Sequence, residues 1–248
     1  MRRAATLLAT LVLGLTLLTP TASAATQVKV LQLNICHSGV AGCFTGDRVM
    51  TKAISVITST RPQVLSVNEA CAGDVTRLQA AMGPSKALFV AAGRPDGSPV
   101  TCNNGQQYGN IVMVADPLGG TDTAKGLYAA QDTSSERRAW ACIRAGQVNA
   151  CTTHLSAYSG STALAQCKEL MAFVTGFPGP TVVAGDMNLR YQGSPNVQDC
   201  NPSGYYRKGD GALQHVFAPT SLAFVSSQKI SMLGTTDHPA WVVVTSKN

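Results

Sequence analysis

Short runs of apolar, β-branched residues recur along this chain, and four of them stop at or just before a polar side chain that a buried strand has no use for. The polar residues fall within five segments: Leu33-Asn34-Ile35, Asn68-Glu69, Thr153-His154-Leu155, Gly185-Asp186-Met187-Asn188 and Thr236-Asp237-His238. A strand that is apolar along its length and polar at its end is buried in a sheet with its tip at a surface. The chain must therefore form sheets whose strand ends gather asparagine, glutamate, aspartate and histidine. Those side chains suit a hard divalent cation and a phosphate ester.

Between these points the pattern alternates strands with a few helices. Strands are expected over Val28–Ile35, Gln63–Val67, Ala87–Ala92, Asn110–Ala115, Leu127–Ala130, Arg138–Arg144, Val148–His154, Thr181–Ala184, Leu213–Phe217, Ala223–Ser227 and Ala240–Val244. Helical spacing marks Arg48–Thr60, which stops before Arg61-Pro62, then Asp74–Met82 and Ser161–Thr175. Gly93–Gly105 and Arg190–Gly211 read as loops. No internal linker or short-period repeat divides the chain. Strands outnumber helices, so the natural layering is an α+β sandwich of four layers, two mostly antiparallel sheets face to face with helices outside.

Arg2 and Arg3, an apolar stretch from Leu7 to Leu18 and the small residues Ala22-Ser23-Ala24 make residues 1–24 a secretory signal. Residues 25–248 are then the mature domain, extracellular and without a stable membrane anchor. The formal charge of +6 loses two with Arg2 and Arg3, leaving +4. This mild basic excess suits a polyanionic substrate and equally an ordinary solvated surface. All eight cysteines lie after the signal and no CxxC pair occurs, which favours disulfides over a thiolate metal site. Cys142 and Cys151 fall on adjacent strand runs and can face each other across a hairpin, and Cys36 with Cys43 closes a small loop. Cys71, Cys102, Cys167 and Cys200 are left to pair among themselves; Cys71–Cys102 with Cys167–Cys200 is the expected arrangement, though spacing alone does not force it.

Taken in order, the five segments resemble the endonuclease/exonuclease/phosphatase superfamily, the deoxyribonuclease I-like fold, over essentially the whole mature chain. No single segment is specific; their order, with Gly-Asp-x-Asn and a near-terminal Asp-His, carries the resemblance. It implies a phosphoester hydrolase in which Glu69 is the principal ligand of Mg²⁺ or Mn²⁺, supported by Asn34 and by Asp237, with Ca²⁺ as a further structural ion. It implies that Asp186 orients or deprotonates the attacking water and that Asn188 donates to a phosphate oxygen. An extended backbone would point these two the same way. His154 and His238 would manage the protons. Arg138, rather than Arg137 on the opposite face, would contact phosphate, with Asn110 near the substrate. His37 and His215 lack motif context and are expected to be structural or peripheral.

The chain departs from the family pattern most at Gln214, where the resemblance places an aspartate that orients the C-terminal histidine. A glutamine oxygen accepts a hydrogen bond from that ring but cannot offset its charge, implying a weaker general base. The preferred expectation is a secreted, monomeric nuclease acting on DNA or RNA. A sphingomyelinase-type phospholipase or a phosphomonoesterase uses the same constellation; the scarcity of aromatic residues, 6% of the chain, disfavours a membrane-entering hairpin. A non-catalytic binding protein on the same scaffold has only Gln214 in its favour.

Overall fold

The computed structural model describes Met1 and residues 26–247, so the expected signal lies, from residue 2 onward, outside the described residues. Two six-stranded sheets pack face to face. In chain order the strands are β1 Thr26–Asn34, β2 Val64–Cys71, β3 Ser85–Ala91, β4 Tyr108–Ala115, β5 Gly120–Leu127, β6 Ala139–Ala145, β7 Asn149–His154, β8 Thr181–Asp186, β9 Tyr205–Gly209, β10 Gln214–Pro219, β11 Ala223–Ile230 and β12 Ala240–Lys247. The first sheet runs β11-β12-β1-β2-β4-β3 and the second β5-β6-β7-β8-β10-β9. Each is antiparallel except for one central parallel pair, β1 with β2 and β7 with β8. A parallel pair needs a crossover, and helices α1 (Asp47–Thr60) and α3 (Gly160–Thr175) supply one each. The third helix, α2 (Asp74–Met82), packs beside α1.

The period of two along each strand sorts the core into layers. Val28 and Val30 of β1 and Val64 of β2 meet Ala150, Val182, Ala184 and Val216 between the sheets. The alternate residues Leu31, Leu33, Leu65 and Val67 pack outward on Val49, Met50 and Ile57 of α1. On the far side Val183 and Phe217 pack on Leu170, Met171 and Val174 of α3. This gives the expected four layers, helix–sheet–sheet–helix. Following the inward face of β1 and β2 toward their ends, valine gives way to Gln32 and Asn34, and to Ser66 and Asn68. On β7 and β8 it gives way to Thr152, His154 and Asp186. The inter-sheet layer thus turns polar where the two parallel pairs end, all within the protein interior.

All four expected disulfides form: Cys36–Cys43, Cys71–Cys102, Cys142–Cys151 and Cys167–Cys200. Cys142 and Cys151 are directly opposed in the β6–β7 hairpin, while Cys167 ties α3 to the turn at Val197–Cys200. Three element expectations need correction. Of the strand placed at Leu127–Ala130 only Leu127 is in a strand, the last residue of β5, which begins at Gly120; β5 is mostly solvent-exposed, so no apolar alternation announces it. β9 occupies part of the stretch read as loop, held at the sheet edge by pairing with β10. The cap of α3 is Ser159, whose side chain accepts from the Thr162 N–H, two residues before the expected start. Among the described residues no helix is long and apolar enough to cross a membrane.

Candidate active site

Register brings the polar strand ends together. Asn34 lies beside Asn68 across the parallel β1–β2 pair, and His154 beside Asp186 across β7–β8. Gln214, first residue of β10, lies opposite Asp186. Gly185 is required here: a Cβ at this position would collide with the carbonyl oxygen of Thr153 on β7. Glu69 sits in a β-bulge, where the β2–β4 register shifts between Val67 and Ala70. Its φ of 58° is left-handed, a conformation that costs a non-glycine residue free energy. The bulge turns Glu69 out of the strand's alternation, toward the cleft that Asn68 underlies.

The Asn34 amide joins the two sheets at this point. Its Nδ2 donates to Glu69 Oε1 at 2.8 Å and to Asp186 Oδ2 at 3.1 Å, so carboxylates from opposite sheets share one donor. Asp186 Oδ2 also accepts from Gln214 Nε2 at 2.7 Å and lies 3.4 Å from His238 Nε2. Beneath them, fully buried Asn68 accepts from the Asp186 N–H at 2.8 Å and donates to the Thr153 carbonyl at 2.9 Å. Its Nδ2 also donates to Asn110 Oδ1 at 3.0 Å, and its Oδ1 accepts from Gln32 Nε2 at 2.7 Å.

Above this floor is an open cleft of about 830 Å³ whose wall includes Glu69, Arg138, His154, Asp186, Asn188 and His238. Burial pushes the Glu69 carboxyl above the usual glutamate range, against the Asn34 hydrogen bond, and the nearby Asp186 charge adds to the rise. Burial also works to raise Asp186, but attraction to His154 and His238 in their protonated forms, with the Asn34 amide and the Asn188 N–H, holds it below the ordinary range. The His154 imidazole is driven well below the usual histidine value by burial and then by Arg138, so it is neutral. Its Nδ1 is buried with no protein partner.

The expected residues thus converge, with four corrections of orientation. Asn34 turns its nitrogen, not its oxygen, to the carboxylates, and its oxygen accepts from the Cys36 N–H. Asn188 is not on an extended segment: its φ is 48° and its N–H closes a turn onto Asp186 Oδ1, while its side chain donates to the Leu155 carbonyl. Asn110 lies below the cleft, held by Asn68 and the Ala139 carbonyl, and does not reach the cleft wall. Asp237 is exposed, 3.6 Å from His238 Nε2 and off the cleft wall. Arg138 lies on the wall, as does Arg94, and its guanidinium is 3.1 Å from Glu136 Oε1; Arg137 is not on the wall. His37 pairs with Asp74, and His215 bonds the Leu189 carbonyl and Arg207, both structural as expected. Gln32 and the side chain of Asn68 were missed as site residues. The signal was present: both fall in phase with core valines, where a polar side chain must find a buried partner.

Glu69 and Asp186 are two converging carboxylates, and among the described residues neither pairs with a lysine or arginine. An oxygen donor set with uncompensated negative charge fits a hard divalent cation. Comparison with known proteins gives the family and the fold. The model of the Endonuclease/Exonuclease/phosphatase family matches residues 33–238. Among solved structures, a member of that family from Bacteroides vulgatus superposes with a TM-score of 0.66 at 14% identity, covering 90% of this chain and 100% of the other. The human Nocturnin catalytic domain with bound sulfate superposes at 0.67 and 18% identity, covering 90% and 94%. D. rerio TDP2 with a single-strand DNA product gives 0.65 at 14% identity, covering 89% and 99%. No curated protein sequence matches the chain significantly.

Proposed function

Because the chain belongs to the endonuclease/exonuclease/phosphatase family, a family of phosphoester hydrolases, we propose that it is a secreted, monomeric, divalent-metal-dependent phosphodiesterase whose substrate is nucleic acid. One observation carries the reading: Glu69 and Asp186, delivered by different sheets, share the Asn34 amide at the wall of the cleft, and among the described residues neither is paired with a lysine or arginine. Glu69 would hold the cation, Mg²⁺ or Mn²⁺. When bound, that ion neutralises phosphate charge and favours departure of the leaving oxygen.

The other groups act on the substrate and the attacking water. Asp186, held ionised, accepts a hydrogen bond from the water and takes its proton as the oxygen approaches phosphorus in line. The guanidinium of Arg138 faces the growing negative charge on the phosphoryl oxygens, in a setting dry enough for that attraction to count. His154, neutral and with an unpartnered buried nitrogen, offers a ring hydrogen bond to the same oxygens. Strain at Glu69 and the Asn68–Asn110–Gln32 floor hold these groups in place before substrate arrives.

The formal charge of +6, or +4 once Arg2 and Arg3 leave with the signal, is compatible with a polyanionic substrate, and a structure of the same fold holds a DNA product. Four disulfides support an extracellular site of action. The test is a substrate panel of plasmid DNA, RNA and sphingomyelin vesicles incubated with the oxidised protein in Mg²⁺ or EDTA. Mg²⁺-dependent nicking or degradation of nucleic acid is expected. Cleavage of the lipid alone, or no cleavage of either polymer, refutes the nuclease reading.

A further inference from the structure

The hydrogen bonds beneath the cleft run in one direction, and that direction reaches His238. Backbone groups set it, because an N–H only donates and a carbonyl only accepts. The Asp186 N–H must meet an oxygen and the Thr153 carbonyl a nitrogen, so Asn68 has one possible orientation, Oδ1 to Asp186 and Nδ2 to Thr153. Asn68 Oδ1 and the Leu33 carbonyl, both acceptors, then face Gln32 at 2.7 and 3.0 Å, and that atom must be Nε2. Turning Gln32 over would set its oxygen against both; instead its Oε1 is left buried without a partner. Gln32 Nε2 in turn faces Gln214 Oε1 at 2.9 Å. The Gln214 nitrogen is therefore fixed on the other side, 2.7 Å from the Asp186 carboxylate and 3.2 Å from His238 Nδ1.

This reverses the polarity expected from the sequence, in which the glutamine oxygen would accept from the ring. The amide hydrogens have two acceptors to serve, and His238 Nδ1 is one of them. A proton on Nδ1 would point N–H at N–H. The ring proton belongs on Nε2, which faces Asp186 Oδ2 at 3.4 Å and Asp237 Oδ1 at 3.6 Å, both acceptors.

We propose that Gln214 is a positioning residue that holds His238 as its Nε2–H tautomer, so that this ring presents a hydrogen-bond donor, and not a proton acceptor, to the bound phosphoester. The proposal rests on the hydrolase reading only for what the ring faces in the cleft; the tautomer follows from the network alone. It leaves Asp186 as the group that takes the proton from water, with His238 donating to a phosphoryl oxygen.

Nitrogen NMR on the oxidised protein with ¹⁵N-labelled histidine tests this, since the chain has only four histidines; the His238 signals are identified by their loss in His238→Ala. Nδ1 of His238 should resonate as a pyridine-type nitrogen and Nε2 as a pyrrole-type one. In Gln214→Glu an oxygen, set against Asp186, replaces the nitrogen that donates to the ring, and Nδ1 should lose its pyridine-type signal. In Gln214→Met the preference for Nε2–H should weaken. A pyrrole-type Nδ1 in the unsubstituted protein overturns the proposal whether or not the variants fold, as does an unchanged His238 pattern in a folded Gln214→Glu. On plasmid DNA, Gln214→Glu should lower kcat about tenfold with KM held, the loss of one hydrogen bond to a charged group. An unchanged kcat overturns the donor role. A protein inactive on every phosphoester, yet with the predicted His238 spectrum, contradicts the proposed function and not the tautomer.

Discussion

Replacing Asn68 with alanine should do more damage to this protein than its position beneath the cleft suggests. The side chain is fully buried and makes four hydrogen bonds of 3.0 Å or less, to the Asp186 N–H, the Thr153 carbonyl, Asn110 and Gln32. Two of these partners are backbone groups on β7 and β8 and a third lies on β4, so one amide from β2 ties the first sheet to the second. In Asn68→Ala each partner loses its bond in a region sealed from bulk water. At about 1 kcal/mol for each net hydrogen bond, with the desolvation cost of orphaned groups partly relieved if water enters the gap, the loss comes to about 3–5 kcal/mol. For a domain of this size that corresponds to a fall in Tm of about 6–20 °C. Asn68→Asp should also destabilise, because a carboxylate cannot donate to Thr153 or Asn110. Urea unfolding followed by circular dichroism, with all disulfides intact, measures the change from the shift in midpoint at constant slope. A loss below about 1 kcal/mol for Asn68→Ala would refute the view that this residue clamps the sheets.

Further outcomes follow from the same geometry. Gly185→Ala forces a methyl into the Thr153 carbonyl across a central parallel pair, so it should lower Tm more than Gly176→Ala, where the nearest atom is at an ordinary 3.4 Å; equal melting points would contradict it. Breaking Cys167–Cys200 by the double serine variant opens a loop of sequence separation 33 and should cost about 3–4 kcal/mol, read as an earlier unfolding midpoint. Burial raises the folded pKa of Glu69 above the ordinary glutamate value of 4.5, so in EDTA its contribution to stability is present below that value and declines as pH rises through the raised one. A divalent cation takes the place of the proton, and the rise in Tm on adding Mg²⁺ should grow with pH over that window. A Mg²⁺ effect independent of pH would show that Glu69 does not hold the ion.

Much of this was legible in the sequence because burial leaves a mark that composition cannot hide. β1, β2 and β8 carry apolar residues on both faces (Val28 and Val30 against Leu31 and Leu33 in β1), as central strands must, and their polar ends predicted where the cleft would lie. Edge strands carry no such mark: β5 and β9 are defined by the neighbour they pair with, and their exposed side chains are free to be polar. The same distinction holds within the site. Residue type and order identified which side chains gather, but not which atom of an amide faces which partner. Asn34 and Gln214 were misoriented for that reason, since amide polarity depends on groups contributed by distant strands, whereas Asn188 was displaced by a left-handed φ and Asn110 by its depth below the cleft. The positive φ of Glu69 was likewise invisible, because a bulge is a mismatch between two strands and neither sequence shows it alone.

The measurement that bears most directly on the account is single-turnover cleavage of plasmid DNA by the unsubstituted protein and by Glu69→Gln, each with Mg²⁺ and with EDTA. Glu69→Gln keeps the shape and removes the charge at the atom argued to hold the cation. The account predicts Mg²⁺-dependent cleavage that falls by at least about 10³-fold in the variant, the size expected when several kcal/mol of charge stabilisation is lost, with the fold intact by circular dichroism. Cleavage that survives in Glu69→Gln, or that proceeds equally in EDTA, would contradict it.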